Sequence, residues 1–502
     1  MADTKREIER KYESDDSGLP DLTGVAGVDA VVDKGVAHLD ATYYDTADER
    51  LAAAAITLRR RTGGSDAGWH LKFPVAPGVR DEIHAPLSDT LPADLTALLR
   101  SRVREAELRP VVRLRSDRDL RDLVDAGGRL LAEISVDAVH AERLTGDGGA
   151  AQWTELEVEL ADGGDPAFLD KVDKRLRKAC VRPSTSSSKL ARALAETAPP
   201  AKGGKKKRKP RPPRTAGDHV LAYVREQRDA LVALDPAVRQ DVHDSVHRMR
   251  VATRRMRSSF RSYGKVLDRT VTDPVGEELK WLAGELGVDR DAEVLTERLK
   301  ARLDELPGIL LSGPVRTRLD TWTNARRSGS RRRLTGVLDS RRYLTLLDTL
   351  DALLDEPPLL RGAAGSPDKV IAKAVRKDFG KLSDRVEKAL ATEAGRDRDL
   401  ALHEARKKAK RTRYSAEAAV PALGDPATAL TRSMKTLQNL LGDHQDSVMT
   451  RLTLRELSAV AHAAGESTFT YGVLYGREEA RATADEVALP GAWREVTEAM
   501  GV

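Results

Sequence analysis

The chain has 502 residues, of which 33% are charged and 4% aromatic, and a formal net charge of +6. That length is too great for one ordinary core, so two or more domains are expected. The single cysteine, Cys180, excludes an intramolecular disulfide framework and a cysteine-rich zinc site. The charged opening MADTKREIERKYE has no apolar core for a signal peptide, and no run reaches the roughly 18 apolar residues of a membrane span; a cytoplasmic protein is expected.

In chain order, residues 1–196 alternate polar and apolar at period two. Strands are expected at 5–12, 38–45, 55–62, 68–74, 79–85, 109–116, 130–138 and 152–160, with helical patches near 20–36, 90–106 and 166–179. Eight such strands suit an antiparallel barrel or tunnel with flanking helices. Residues 197–217, TAPPAKGGKKKRKPRPPRTAG, read as a basic linker whose Lys205–Lys209 run adds positive potential. From 218 to 502 apolar residues recur at i, i+3, i+4 and i+7, so this part is expected to be all helical. It repeats internally: VHRMRVATRRMRSSF (246–260) aligns with LHEARKKAKRTRYSA (402–416), and LKWLAGELGVDRD (279–291) with MKTLQNLLGDHQD (434–446). Two tandem helical bundles follow from that repeat. Charge follows the same division. Residues 1–200 hold 29 Lys and Arg against 36 Asp and Glu, and residues 201–502 hold 56 against 43. An anionic partner is therefore expected for the second half.

Residues two apart in a strand share a face. Glu7, Glu9 and Lys11 therefore point one way, as do Arg59 and Arg61; His70 and Lys72; Arg80, Glu82 and His84; Arg113 and Arg115; Glu133 and Asp137; and Glu155, Glu157 and Glu159. A barrel with all of these outside would need an apolar interior that Ile56, Leu71 and Val111 scarcely supply. With the charges inside, the ring becomes a tunnel whose buried groups must pair or bind ions. Carboxylates suit Mg²⁺ or Mn²⁺, and Arg and Lys suit phosphate oxygens.

The run Glu7-Ile8-Glu9-Arg10-Lys11 resembles the ExExK signature of the CYTH domain, the triphosphate tunnel metalloenzyme fold. TYYDTAD (42–48), TLRRR (57–61), WHLK (69–72), VRDE (79–82), VRLR (112–115), AEISVDAV (132–139), WTELEVEL (153–160) and STSSSKL (184–190) follow in the family's order. The resemblance implies metal-side carboxylates at Glu7, Glu9, Glu155 and Glu157. It implies a phosphate grip at Lys11, Arg59, Arg61, Lys72, Arg80, Arg113, Arg115 and Lys189. Glu82 or Asp137 is the candidate to orient an attacking water.

In the helical part, His247, Arg250, Arg254, Arg257 and Arg261 fall on one face, and His403, Arg406, Lys410 and Arg413 repeat that stripe. Like charges at i and i+4 repel, so the duplicated stripe points to an anionic ligand. Val242, Met249, Thr253, Met256 and Phe260 are expected on the core side. This part resembles the CHAD domain, the conserved-histidine α-helical domain. The resemblance implies a basic groove for inorganic polyphosphate, lined by His247, Arg250, Arg254, Arg257, His403, Arg406, Lys410 and Arg413.

The expected function is metal-dependent hydrolysis of inorganic triphosphate, or a related triphosphate, in the tunnel, with polyphosphate held by the helices. Two alternatives stay open: a polyphosphate-binding or granule-targeting protein without turnover, and a thiamine triphosphatase or adenylyl cyclase. Nucleic acid is a weaker reading, because few aromatic residues are present for base stacking.

Overall fold

A computed structural model describes residues 3–14, 19–146, 148–199, 212–327 and 329–499, without the side chains of 288–292, 327 and 499. The chain forms two compact units, residues 1–208 and 209–502. Most of the segment read as a linker, including Lys205–Lys209, lies outside the described residues.

In the first unit the strands are β1 (Asp3–Glu13), β2 (Ala30–Asp45), β3 (Thr57–Thr62), β4 (Gly68–Ala76), β5 (Val79–Pro86), β6 (Arg109–Val124), β7 (Leu130–Arg143), β8 (Ala150–Leu160) and the short β9 (Arg182–Pro183). They run in the order β5-β4-β3-β2-β6-β7-β8-β1-β9, and β1 also pairs with β5. Eight antiparallel strands thus close into a ring. The register brings Glu7 opposite Arg80 and Lys5 opposite Glu82 on one side of β1, and Glu9 opposite Glu159 and Lys11 opposite Glu157 on the other.

Four helices complete this unit: α1 (Arg50–Ala53), α2 (Ala93–Val103), α3 (Ala167–Lys178) and α4 (Lys189–Glu196). Outward apolar side chains of β3, β4 and β5, among them Leu58, Trp69, Leu71 and Ile83, pack on Leu95, Leu98 and Leu99 of α2. Tyr12, Ile134, Leu156 and Val158 pack on Phe168, Leu169, Val172 and Leu176 of α3. With both outer faces covered, the charged positions face inward. The inner apolar positions cluster at one end, where Tyr43, Val112, Leu114, Val139 and Trp153 meet Leu190 and Ala193 of α4. That helix plugs the ring.

The helix expected at 20–36 does not form. Gly24, Ala26 and Gly27 adopt φ of 79°, 55° and 91°, which breaks a right-handed helix, and β2 begins at Ala30. Gly35, at φ 82°, sits at a register shift that lets β2 continue along β6.

The second unit contains α5 (Ala216–Arg239), α6 (Ser245–Ser262), α7 (Arg269–Glu285), α8 (Gly287–Asp304), α9 (Val315–Arg327), α10 (Ser330–Asp339), α11 (Arg341–Asp355), α12 (Pro367–Ala391), α13 (Arg396–Leu423), α14 (Asp425–Ala463) and α15 (Phe469–Ala499). Helix α5 starts inside the segment read as a linker because Thr215 and Asp218 form a capping box. Both repeats feed one core, with Met249, Met256 and Phe260 of α6 beside Leu402, Ala405 and Ala409 of α13. A second core joins Leu299 and Leu303 of α8 and Leu319 of α9 to the far ends of α14 and α15. Val242 is not in either: it precedes α6 and is 50% exposed. Among the described residues no helix is long and apolar enough to cross a membrane.

Candidate functional site

Period-two alternation aims one row of each strand into the ring, around a cavity of about 520 Å³. Glu7, Glu9, Lys11, Arg59, Arg61 and Lys72 line it, together with Arg80, Glu82, Glu157 and Lys189. The structure also brings in Tyr43 and Arg118, which the sequence reading did not assign to the site, and His70, which it placed in the inward row with Lys72 but gave no role.

Two of the expected phosphate ligands lie elsewhere. Arg113 and Arg115 do not line the cavity; Arg113 pairs with Asp40 at 2.5 Å and Arg115 is about half exposed. On β6 the inward positions are the even ones, with Val112 and Leu114 against the α4 plug and Arg118 beyond them. Asp137 is the other correction. It is completely buried, outside the cavity lining, and held by Arg118 at 2.7 and 2.8 Å. Arg80 lines the cavity, but its Nη1 and Nη2 donate to the carbonyls of Ala55 (3.1 Å) and Ser187 (2.8 Å). It ties down the loop entering α4.

Two clusters organise the tunnel. In the first, Lys72 Nζ lies 2.6 Å from Glu7 and 3.6 Å from Glu82, and His70 Nδ1 lies 2.7 Å from Glu82. Burial, then a hydrogen bond with Glu82, pushes Glu7 up to about 8. Burial works against the charge of Glu82, yet Lys72, His70 and Glu7 hold it below the usual carboxylate range. Glu7 is thus held above and Glu82 below the usual carboxylate range. Beside it, burial and then Arg59 and Arg118 push Arg61 down to about 9. The Nε atoms of Arg59 and Arg61 are buried without a hydrogen-bond partner. Guanidinium groups crowded this way suit an anion.

The second cluster centres on Lys189, the first residue of α4. Its Nζ lies 3.0 Å from Asp137, 2.7 Å from Glu155 and 2.6 Å from Glu157. Carboxylate oxygens of these three residues lie within 4.8 Å of one another. Glu157 also pairs with Lys11, which lies 3.2 Å from Glu9. Glu7 and Glu9, on the adjacent strand β1, are not members of the trio. An all-oxygen, three-carboxylate donor set fits Mg²⁺ or Mn²⁺, and the ammonium among its members shows that a cation is accommodated there.

In the helical unit, the stripes of α6 and α13 meet. Burial, then Arg406, Arg254 and Arg250, pushes Lys410 down to about 7, so groups from both repeats share one basic cluster. The repeat explains how the two arginines lie. A Cβ on Gly287 would come 2.8 Å from Arg250 Nη2, and one on Gly442 would come 3.5 Å from Arg406 Nη2. These glycines occupy equivalent places in the aligned ELGVDRD and LLGDHQD segments, and each leaves a bare patch of helix beside the arginine three residues after the stripe's histidine. His403 Nδ1 is 2.6 Å from Gln445 Oε1; the side chain that matches Gln445 in the first repeat is outside the described set. Arg257 faces Arg261 and Glu277. Arg413 lies 2.8 Å from Glu417 and donates to Gln438. His444 is buried between Asp399 and Glu486 at 3.4 and 3.2 Å. Because Arg451 and Arg398 neutralise those carboxylates, this cluster is an ion-pair network.

The sequence matches the CYTH domain over residues 5–193 and the CHAD domain over residues 222–455. Two Mycobacterium tuberculosis proteins, Rv2226 of strain H37Rv and MT2285 of strain CDC 1551, are each 40% identical over 515 residues, covering 98% of this chain and 97% of their own. Among solved structures, PptA from Streptomyces chartreusis is similar with TM-score 0.47 and 20% identity over 56% of this chain and 100% of its own. The CHAD domain from the plant Ricinus communis is similar with TM-score 0.44 and 20% identity over 59% of this chain and 97% of its own. CYTH domains bind triphosphate substrates, act as triphosphatases or cyclases, and use divalent metals. The chain belongs to the family of proteins that join a CYTH domain to a CHAD domain.

Proposed function

We propose that the tunnel hydrolyses inorganic triphosphate, or a closely related triphosphate, with Mg²⁺ or Mn²⁺, and that the helical groove binds inorganic polyphosphate. The observation that carries this reading is the mixed-sign lining: Arg59, Arg61 and Arg118 crowd one part of the cavity, while Asp137, Glu155 and Glu157 converge beside it. Asp137, Glu155 and Glu157 would hold the ion. When bound, it would supply charge neutralisation at the terminal phosphate. Arg59, Arg61 and Arg118 bind the chain's oxygens, and much of the rate follows from charges already in place. Glu82, fixed by His70 and Lys72, is the carboxylate suited to orient water. Aromatic rings able to frame an organic group are few in the lining, where the Tyr43 hydroxyl accepts a hydrogen bond from Arg59. This favours an inorganic chain over a nucleotide or thiamine ester.

The groove has a different composition. Arg250, Arg254, Arg406 and Lys410 carry one sign, which suits a long anion held without chemistry. A second reading, binding without turnover, is favoured by the tunnel carboxylates being neutralised by Lys11, Lys72 and Lys189.

The deciding assay mixes full-length protein with tripolyphosphate, long-chain polyphosphate, ATP or thiamine triphosphate, with Mg²⁺ or Mn²⁺, and follows released phosphate. Release from tripolyphosphate that is lost in E7A/E9A, with polyphosphate binding retained, is the expected result. No release from any substrate with retained binding would sink the enzyme reading.

A further inference from the structure

Lys189 and a divalent ion compete for the same oxygens. The ammonium stands 2.6–3.0 Å from Asp137, Glu155 and Glu157. A Mg²⁺ ion bonded to those oxygens at ~2.1 Å would occupy nearly the same point, and two cations do not share it. Lys189 has somewhere else to go. It lines the cavity, as do Ser188 before it and Glu157, whereas Asp137 and Glu155 do not, so Lys189 separates those two carboxylates from the space for substrate. Its backbone is fixed independently: Ser188 caps α4 by accepting from the Ala191 N–H, Arg80 holds the Ser187 carbonyl, and Leu190 and Ala193 are packed into the plug. Rotation about side-chain bonds alone carries Nζ from the trio to the cavity. Arg118 stays on Asp137 and Glu157 at 2.7 and 3.2 Å, so the trio does not disperse when the ammonium leaves.

We propose that Lys189 is an exchangeable internal cation: it holds Asp137, Glu155 and Glu157 together in the metal-free tunnel, and a divalent ion taking those oxygens turns it into a phosphate ligand. This rests on the metal and triphosphate reading above and adds an order to it, with metal first and the lysine contact second.

The test measures Mn²⁺ binding to full-length protein without substrate, from the electron paramagnetic resonance signal of free Mn²⁺, for the wild type, K189M, K189Q and E155Q. With its competitor removed, K189M should bind Mn²⁺ at least ~10-fold more tightly, K189Q should behave similarly, and E155Q should lose most of the affinity. Tripolyphosphate binding, measured by calorimetry, should tighten with Mn²⁺ in the wild type and tighten markedly less in K189M. Unchanged or weaker Mn²⁺ binding in both Lys189 variants would overturn the exchange and make the lysine a plain organiser of the trio. Undiminished Mn²⁺ affinity in E155Q would place the ion elsewhere and overturn it too. If K189M does not fold, the milder K189Q tests the same competition. Hydrolysis is scored separately: tighter Mn²⁺ binding by K189M in a protein that releases no phosphate would retain the exchange and reject the triphosphatase.

Discussion

The tunnel and the helical groove handle charge in opposite ways. In the tunnel, each base has a carboxylate within reach: Lys72 has Glu7, Lys11 has Glu157, and Arg118 has Asp137. Such a site is formed before its ligand arrives, and it is selective because a ligand must satisfy both signs. In the groove, Arg250, Arg254, Arg406 and Lys410 crowd together, and Asp446 lies 3.9 Å from Arg406. There the neighbouring arginines work against the charge of Lys410. The β-ring can afford paired charges because strands interleave rows of opposite sign, whereas two equivalent helices necessarily present the same sign to each other.

The largest expected effect is at Arg118. R118A removes the bidentate partner of a fully buried carboxylate, so thermal unfolding should register a loss of about 3 kcal/mol, and tripolyphosphate hydrolysis should fall by ~10²-fold or more. The R113A/R115A variant should leave both nearly unchanged. Equal damage from the two would break the inward assignment of β6.

Next is the R250A/R254A/R406A/K410A variant. Long-chain polyphosphate binding, followed by titration at several salt concentrations, should weaken steeply, and the logarithmic salt slope should fall by ~0.7 for each cation removed if counterion release operates as on single-stranded polyanions. Phosphate release in the tunnel should persist. Weak salt dependence in the wild type would erase the contrast between the sites.

A smaller effect is in pH. Lys410 in the empty groove is pushed down to about 7, first by burial and then by Arg406, Arg254 and Arg250. A bound polyanion favours its charged form, so binding takes up a proton above that pH. Affinity is full below pH 7 and falls as pH rises beyond it, by at most about tenfold per pH unit for one proton. K410R should flatten that profile when binding is measured from pH 6 to 9.

The smallest is at the paired glycines. G287A forces the Arg250 guanidinium aside and should weaken polyphosphate binding a few-fold with the fold intact, whereas the Cβ of G442A meets Arg406 at an ordinary contact distance and should change little. Circular dichroism with the same titration separates the two.

The ring was legible in the sequence because charge at period two marks one face, and strands β1, β3, β4, β5 and β8 carry it without interruption. Strand β6 was not: Arg113, Arg115 and Arg118 include both parities, and only the apolar positions Val112 and Leu114 reveal that α4 sits inside. The trio was half visible, since Glu155 and Glu157 share a row, but the register that brings Asp137 opposite Glu155 is a long-range fact. The helix expected over 20–36 failed on backbone conformation at Gly24, Ala26 and Gly27, which apolar spacing does not report. In the second unit the repeat disclosed both stripes. Which members meet, and that Arg257 and Arg413 turn to other neighbours, depended on packing.

Strand β1 is the first element of the chain and the last piece of the ring. Its Lys11 meets Glu157, 146 positions later, so closure waits for β8 to leave the ribosome. Until then β1 and β5 can pair, but one strand edge stays open to other chains. Assembly with so many distant pairings is expected to be slow. Conditions that delay synthesis between β5 and β8 should therefore lower the yield of folded protein even where they leave the stability of the finished tunnel untouched.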